Sequence, residues 1–449
     1  MAAAKFKPVD EQFSYLKKGT AEIIREDELK AKLEKSAATG KPLRVYLGVD
    51  PTAPDIHLGH TVVLRKLKHF QDMGHTAIFM IGDFSAMIGD PTGVSETRPP
   101  LTREQVDANA RTYLGQVYKI LDREKTEVRY NSEWLGKMSS YEIVRLCGHY
   151  RLARMLERED FRSRLARDQH AQDLQRIHGP SEPTRPQHEG PAFKLPSSGK
   201  VPAVKQPGSI SIHELLYPLL TAYDAVMLES DVEIGATEQK FNMLVHRDIQ
   251  REYEQTGQIA LTMPILVGLD GERKMSKSLG NYVGITEPPG EMFGKLMSIS
   301  DELMWSYYEL LTDFPWPAIT RLREEVRTGV MHPKKAKMEL AHNIVTGFHG
   351  EAAARDAGEE WDRIFSKREA PEDAPRFAVA RNGMRRLSLI LVELKAAPSR
   401  SEAERLIKQG GVEIDGVRVE DVKREIDLSK PAEYLLRAGK KKFLRLVVE

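Results

Sequence analysis

The sequence predicts an α/β fold built on a parallel sheet, followed by a helical region and a small α+β domain. Two short apolar runs, residues 44–49 and 77–81, are typical of buried strands. Between them, apolar residues recur over residues 61–73 at the spacing of an amphipathic helix. A strand, a helix and a strand in this order form a right-handed crossover between parallel strands. Ligand-binding residues are therefore expected beyond the carboxyl ends of the strands, at residues 46–60 and 82–98.

The composition of the 449-residue chain is that of a folded protein of about three domains. Hydrophobic residues make up 41% and charged residues 30%, and no apolar run is long enough for a membrane-spanning helix. The first residues lack the apolar segment of a secretory signal. The single cysteine, Cys147, excludes an internal disulfide. We therefore expect a cytoplasmic protein that does not bind to a membrane.

Changes in composition divide the chain further. Residues 179–209 contain 7 prolines and 4 glycines, which predicts a surface loop or a disordered insertion. A charged helical region runs from about residue 301 to 367, and a linker with prolines follows. The last block, from about residue 384, has the pattern of two helices and short strands. Residues 381–449 carry 16 Lys and Arg against 11 Asp and Glu, which is a weak indication of a polyanionic partner.

The run His57-Leu58-Gly59-His60 stands at the predicted start of the first helix. Unpaired N–H groups and the helix dipole favour an anion at this place. Two histidines three residues apart can both donate to phosphate oxygens, and Gly59 leaves room for a flat group such as a purine. Such a pair alone is more often structural. Because no third ligand stands at a characteristic spacing, we expect no metal site.

A longer segment that runs from Tyr46 through Asp50 and Thr52 to His60 resembles the first signature of class I aminoacyl-tRNA synthetases. In detail it resembles the bacterial tyrosyl family of that class. The run Lys274-Met275-Ser276-Lys277-Ser278 resembles the second signature, KMSKS, and follows in the expected order. As bare chemistry it is a basic loop, and a charge run alone is usually a solvated surface.

The resemblance implies a division into domains. It implies a Rossmann-type catalytic domain over residues 1–245, with a connective insertion at about residues 125–210, and its continuation with the KMSKS loop over residues 246–300. A helical tRNA-binding domain at residues 301–370, a linker at 371–383 and an RNA-binding domain at 384–449 complete the expectation.

The resemblance also implies an activity, tyrosine–tRNA ligase. The family activates L-tyrosine with ATP to tyrosyl-adenylate and pyrophosphate, then transfers tyrosine to the 3′-terminal adenosine of tRNA(Tyr) and releases AMP. ATP with its Mg²⁺, L-tyrosine and tRNA(Tyr) are thus the implied substrates, without a prosthetic group. A homodimer is the implied assembly, with residues 125–165 near the interface. The implied catalytic residues are His57, His60, Thr52, Lys274 and Lys277.

Residues 89–93, 217–224 and 235–239 resemble further parts of the family's pocket. A phenol needs a hydrogen-bond acceptor and a donor, which Asp224 and Tyr46 can supply. The residues implied to bind tyrosine are Tyr46, Gly48, Asp50, Asp90, Tyr217, Thr221, Asp224 and Gln239. Those implied to bind ATP are His57, Gly59, His60, Gly235, Ala236, Glu238, Lys274, Met275, Ser276, Lys277 and Ser278.

Four positions depart from the family's pattern. Thr221 stands where glutamine is usual, Ala236 replaces a glycine and Glu238 replaces an aspartate. Val94 occupies a position that is often basic. These changes leave open a paralogue that activates a related or modified amino acid. A non-catalytic RNA-binding protein is a further alternative, although both signatures are intact.

Residues 399–417 resemble a small RNA-binding domain that a ribosomal small-subunit protein shares with many bacterial tyrosyl enzymes. Ser399 is expected to cap a helix, with Glu402 completing a capping box. Two glycines at 410–411 then end the helix, and residues 412–417 alternate as a hairpin strand. A helix–hairpin domain with scattered charge is the plain alternative. The residues predicted to contact RNA phosphates are Arg400, Arg405 and Lys408.

Overall fold

The structure, a computed structural model, describes residues 6–52, 54–90, 101–167, 210–365, 374–439 and 442–449. It contains two compact units, one formed by residues 1–287 and 295–348 and the other by residues 288–294 and 349–449. Val94, most of the predicted loop 89–93 and the Pro/Gly-rich segment 179–209 lie outside the described residues. No helix of the described ranges is long and apolar enough to cross a membrane.

A six-stranded sheet forms the centre of the first unit. Its strands are β1 (Glu22–Ile24), β2 (Arg44–Val49), β3 (Thr76–Ile81), β4 (Thr126–Tyr130), β5 (Val232–Ala236) and β6 (Ile259–Met263). They lie in the order β1-β6-β5-β2-β3-β4, and all pairs are parallel except β1 with β6. The predicted crossover is confirmed, because β2 and β3 pair in parallel with Tyr46 opposite Ile78. Their apolar runs fit strands that are buried on both faces.

Helices pack against this sheet, with α3 in contact with β2, β3 and β5 and α11 in contact with β5 and β6. Their bounds are α1 (Val9–Lys17), α2 (Glu26–Thr39), α3 (Leu58–Asp72), α4 (Ser85–Ile88), α5 (Arg103–Val117), α6 (Ser132–Leu135), α7 (Ser140–Gly148), α8 (Leu152–Met155), α9 (159–167), α10 (Ile212–Leu228), α11 (Lys240–Glu252), α12 (Pro289–Met297), α13 (Leu303–Leu311), α14 (Trp316–Arg327), α15 (Pro333–His349) and α16 (Glu351–Phe365).

The core of the first unit that matters for function lies beside β2 and β3. Tyr46 and Ile78 from these strands are buried in one cluster with Trp134 of α6 and with apolar residues of α10 and α11. Such close packing fixes side chains at the carboxyl edge of the sheet. The edge thereby becomes a rigid wall on which polar groups can be held at definite distances.

The stretch predicted as a connective insertion, about residues 125–210, begins with a strand of this same sheet. β4 pairs in parallel with β3, opposite residues 77–81 of that strand. β4 lies at the edge of the sheet, and every residue of its sequence, Thr-Glu-Val-Arg-Tyr, is only partly buried, which fits its high content of polar residues. This part of the predicted insertion is therefore built into the central sheet.

The second unit ends in a small α+β domain. A five-stranded sheet has the order β10-β9-β12-β13-β7, and β8 pairs with β11. Its strands are β7 (Arg376–Val379), β8 (Met384–Arg386), β9 (Val412–Ile414), β10 (Val417–Val419), β11 (Glu425–Asp427), β12 (Ala432–Ala438) and β13 (Lys442–Val448). Two helices, α17 (Leu387–Glu393) and α18 (Arg400–Lys408), share one buried apolar cluster with these strands.

Local predictions for this domain are confirmed with two exceptions. β9 and β10 form the expected hairpin, and Gly410 takes the positive φ of +64° that ends a helix. Only one half of the predicted capping box forms. The Ser399 hydroxyl accepts from the Glu402 N–H, but the Glu402 carboxylate pairs with Arg405 at 2.5 Å. β7 falls within the predicted linker at residues 371–383, where it extends the sheet by pairing with β13.

Candidate active site

Helix α3 begins at the predicted histidine pair. His57 caps the helix, and its Nδ1 accepts a hydrogen bond from the Gly59 N–H at 3.1 Å. The His60 Nδ1 accepts in turn from the His57 N–H at 3.2 Å. Burial lowers the pKa of His57 to about 3 and that of His60 to about 4, so both rings are neutral. Because each Nδ1 accepts, each ring carries its proton on Nε2 and can donate there.

The second signature lies beside the first. The Leu58 N–H donates to the Val283 carbonyl at 2.9 Å, and the Ile285 N–H donates to the Ile56 carbonyl at 3.1 Å. These backbone bonds join the segment after the KMSKS loop to the start of α3. Residues that are more than 200 positions apart in sequence are thereby brought into contact.

Both lysines of the KMSKS loop are paired with carboxylates. The Lys274 Nζ lies 3.1 Å from Glu238, and the Lys277 Nζ lies 3.0 Å from Asp55. Met275 between them is buried, and its N–H donates to the Leu266 carbonyl at 2.8 Å. The loop is thus anchored through its backbone, while its two charged ends lie on exposed ion pairs that a stronger anion can replace.

A cavity of about 380 Å³ opens at the carboxyl edge of the sheet. The predicted site residues that line it are Tyr46, Gly48, Asp50, Thr52, Gly59, His60, Asp90, Tyr217, Thr221, Asp224, Ala236, Glu238 and Gln239. Three other predicted site residues lie next to that lining. The His57 ring is centred 3.8 Å from the His60 ring, Gly235 precedes Ala236 in the chain, and Lys274 contacts Glu238. The first signature, the pocket segments and the KMSKS loop therefore converge on one place.

The deep end of the cavity is closed by Asp224, whose side chain is fully buried. One carboxyl oxygen accepts from the indole N–H of Trp134 at 2.7 Å, and the other accepts from the Asn131 amide at 3.3 Å. Burial raises the pKa of Asp224 well above its usual value, although these two donors oppose the shift. The predicted acceptor is therefore held rigidly by two side chains that sequence reasoning missed.

Asp50 lies on the wall, between the two ends. Its carboxyl oxygens accept from the Ser85 hydroxyl at 2.6 Å and from the Tyr217 hydroxyl at 2.9 Å. Burial raises the pKa of Asp50 to about 7. A side chain at Gly82 would collide with the Asp50 carboxyl, so only glycine fits there. The Asn131 amide also donates to Ser85, at 2.9 Å, which connects this group to Asp224.

Sequence reasoning missed a second group on the same wall. His246 of α11 lies between Tyr46, Glu233 and Thr221, and its ring nitrogens are 2.9–3.3 Å from their polar atoms. All four side chains are buried and line the cavity. A single histidine on an apolar helix face gives no sequence signal that separates a site residue from a core residue.

A hydrogen bond and a close approach of side chains shape the backbone at the end of β5. The Gln239 side-chain oxygen accepts from the Ala236 N–H at 2.9 Å. A Cβ on Gly235 would come within 2.8–2.9 Å of Met243 and Gln239, which explains a glycine there. Ala236, for which the resemblance implied a glycine, has ordinary extended backbone angles. Its methyl group needs no unusual backbone conformation.

The residues predicted to contact RNA lie on α18 in the second unit. Arg400 pairs with Glu404 at 2.8 Å and Arg405 pairs with Glu402 at 2.5 Å, both within the helix, while Lys408 is exposed. In the parts of the chain that the structure describes, no cluster of three His, Cys, Asp or Glu side chains has the geometry to hold a metal ion.

Comparison with known proteins assigns the class. The family model of class I tRNA synthetases (W and Y) matches residues 38–176 and 197–366, and that of the S4 domain matches residues 385–429. The chain belongs to the class I tRNA synthetases of this tryptophan and tyrosine family. The resemblance seen in the two signatures is confirmed.

Its relatives narrow the class. The chain is 49% identical to the tyrosine–tRNA ligase of Oleidesulfovibrio alaskensis over 98% of its own length and 99% of that protein. It is 47% identical to the tyrosine–tRNA ligase of Nitratidesulfovibrio vulgaris over the same shares. The solved structure of tyrosyl-tRNA synthetase from Archaeoglobus fulgidus, complexed with L-tyrosine, has the same fold, with a TM-score of 0.56 and 20% identity over 78% of this chain and 100% of that one.

Proposed function

We infer that this chain is a tyrosine–tRNA ligase. It activates L-tyrosine with ATP to tyrosyl-adenylate and pyrophosphate, then transfers tyrosine to the terminal adenosine of tRNA(Tyr) with release of AMP. One observation supports the inference beyond the fold. A single cavity is lined at one end by the rigidly held Asp224 with Tyr46 and at the other by His60, and His57 and the loop lysines lie next to that lining.

The polar end accommodates the phenol. Asp224 and Tyr46 flank the hydroxyl, one as acceptor and one as donor, because a buried phenol needs both partners. Asp90 faces the ammonium group, and its neighbours on the wall complete the amino-acid site. Those neighbours are Gly48, Asp50, Tyr217, Thr221 and Gln239.

The other end binds ATP. The Nε2–H groups of His57 and His60 donate to phosphate oxygens at the positive end of α3. Thr52 donates near the γ-phosphate, and Gly59 gives the adenine room to approach the backbone. Gly235, Ala236 and Glu238 lie along the ribose, and Mg²⁺ enters with ATP as part of that substrate.

Catalysis needs no protein nucleophile. The tyrosine carboxylate attacks the α-phosphorus in line, the bond to the pyrophosphate oxygen breaks, and Lys274 and Lys277 neutralise the charge that develops on the leaving group. Their present partners, Glu238 and Asp55, are exposed carboxylates and are exchanged for phosphate oxygens. The residues Met275, Ser276 and Ser278 hold the loop in place around ATP.

The proposed macromolecular partners are tRNA(Tyr) and a second copy of this chain. The basic C-terminal domain binds tRNA(Tyr) through α18, where Arg400, Arg405 and Lys408 contact phosphates once the intrahelical ion pairs are exchanged. The assembly is a homodimer in the cytoplasm. Its interface includes residues 125–165, where the large apolar side chains of Tyr141, Val144 and Leu152 are 76%, 68% and 61% exposed.

Amino-acid-dependent ATP–pyrophosphate exchange tests the activity. We expect strong exchange with tyrosine and little with phenylalanine, because phenylalanine offers no acceptor to the Tyr46 hydroxyl proton and no donor to Asp224. A better substrate among modified tyrosines would favour the paralogue, which the changes at Thr221, Ala236 and Glu238 leave open. An enzyme without residues 381–449 should keep exchange and lose tRNA charging, whereas silence with every amino acid would reject the proposal.

A further inference from the structure

The environment of His246 differs from that of an ordinary core histidine. The imidazole is 6% exposed and lines the cavity, yet both of its nitrogens meet polar side chains. The Nδ1 atom lies 2.9 and 3.0 Å from the two carboxyl oxygens of Glu233 and 3.3 Å from the Tyr46 hydroxyl oxygen. The three groups come from three separate elements, α11, β5 and β2, so packing alone does not require them to meet.

The carboxylate of Glu233 decides where the proton of the ring lies. A carboxylate can only accept, so the Nδ1 atom that it contacts carries a hydrogen. Glu233 is itself fixed by the Gln258 amide, which donates to the same carboxylate, and Gln258 is held by the Ser230 hydroxyl. The Nδ1–H group is therefore held in one direction by a buried chain of hydrogen bonds.

The Thr221 hydroxyl satisfies the other nitrogen. Its Oγ1 lies 3.1 Å from the His246 Nε2 and 2.9 Å from the Tyr217 carbonyl in the same helix. The hydroxyl can donate to Nε2, or it can donate to the carbonyl and accept from an Nε2–H. The ring is thus held at both ends, and the Thr221 hydroxyl serves His246 and the helix.

The remaining contact determines the direction of the Tyr46 hydroxyl. Burial, together with the carboxylates of Glu233 and Asp224, raises the pKa of Tyr46 well above its usual value, so the phenol keeps its proton. Since the His246 Nδ1 carries a hydrogen that it gives to Glu233, Nδ1 cannot accept from the Tyr46 hydroxyl 3.3 Å away. The hydroxyl proton of Tyr46 is then directed away from His246, toward either the Glu233 carboxylate or the cavity. Because Glu233 already accepts from His246 and from Gln258, the proton is left for an acceptor in the cavity.

We propose that His246 is a specificity-positioning residue that turns the Tyr46 hydroxyl proton toward the cavity, where it donates to the phenol of the bound amino acid. The proposal rests on the function inferred above, because it assigns the cavity to a phenol. His246 acts through Tyr46, not through the reacting atoms. Its loss should therefore affect recognition of the substrate hydroxyl more than ATP binding or the chemical step.

The test is a comparison of His246→Leu with His246→Asn in ATP–pyrophosphate exchange. Leucine removes both ring nitrogens, whereas the asparagine amide keeps a donor near the place of Nδ1. We expect His246→Leu to lower kcat/KM for tyrosine by about tenfold, mainly through KM, as for one lost buried hydrogen bond. The value for phenylalanine and the KM for ATP should change by less than about threefold. His246→Asn should recover most of the loss.

A double-mutant cycle with Tyr46→Phe separates positioning from packing. Without the Tyr46 hydroxyl there is no proton to direct, so His246→Leu should cost little more in that background. His75→Leu is the matched control, because His75 is also buried and hydrogen-bonded, to Gln12 at 2.9 Å, but does not line the cavity. This control should lower stability without changing the ratio of tyrosine to phenylalanine use.

Three results would overturn the proposal: equal losses for tyrosine and phenylalanine, an undiminished loss in the Tyr46→Phe background, or no rescue by asparagine. If His246→Leu does not fold, His246→Asn and its cycle with Tyr46→Phe still decide the matter, since a retained donor must preserve tyrosine preference. A wild-type protein that ignores tyrosine would instead reject the function, which is a separate outcome.

Discussion

The two ends of the cavity are built on different principles. At the deep end, Asp224 is fully buried, and its oxygens are held by Trp134 and Asn131 at 2.7 and 3.3 Å. At the outer end, Lys274 and Lys277 are paired with carboxylates that are 44% and 54% exposed. Buried polar groups that are fully paired resist rearrangement, whereas exposed ion pairs exchange readily. The deep end is thus suited to discrimination between amino-acid side chains, and the outer end to the phosphate groups of ATP, which bind and then leave as pyrophosphate.

The largest effect is expected at the outer end, from Lys277→Ala. Removal of one preorganised donor to developing charge costs about 3 kcal/mol, or roughly a hundredfold in the rate of adenylate formation. Tyrosine affinity should hardly change, because Lys277 lies at the other end of the cavity. Single-turnover kinetics measures the rate, and equilibrium dialysis measures the affinity. The exposed Lys35→Ala provides the control, and an unaltered rate would remove Lys277 from the mechanism.

A smaller effect is expected at the deep end, from Trp134→Phe. The substitution keeps an aromatic ring but removes the N–H that Asp224 accepts, which should lower the free energy of unfolding by about 1–3 kcal/mol. Urea denaturation measures the loss. Trp316→Phe, at an exposed tryptophan, should have little effect by comparison. Equal stability of wild type and Trp134→Phe would show that the deep end is not held by this bond.

The smallest effect is expected from Asp55→Asn, which releases Lys277 from its partner. An exposed ion pair contributes about 0.2–1 kcal/mol, so the KM for ATP should fall by at most about fivefold. Screening by salt should reduce this gain. Steady-state kinetics at low and high salt measures it, with Asp10→Asn as an exposed control of equal charge change. A rise in KM would contradict the idea that Asp55 competes with ATP for the lysine.

Much of the framework follows from local patterns. The run from 44 to 49 coincides with β2, and the run from 77 to 81 misses one residue of β3, because both strands are short, apolar and buried. β1 has three residues and β7 has four, so neither offers enough alternation to be distinguished from a loop. Such strands form only because a neighbouring strand offers hydrogen bonds, which no local pattern reveals.

The sequence likewise predicted some residues of the candidate site and missed others. The residues of the two signatures and the pocket segments could be predicted, because their order along the chain identifies the family. The structure brings them together at the cavity. Trp134, Asn131 and His246 could not be found, since each acts through a contact with a distant element. Their residue types carry no local signal, and only the assembled structure brings them to Asp224 and Tyr46.

The backbone bonds between Leu58 and Val283 and between Ile56 and Ile285 have a consequence for how the enzyme can vary. Main-chain groups are the same for nearly every residue type, so this junction does not depend on which side chains flank it. Substitution of Lys274 or Lys277, whose side chains make exposed ion pairs, can therefore alter the chemistry while these backbone bonds persist. The connection between the two segments thus rests on the main chain, whereas the charge that acts on the phosphates rests on the lysine side chains.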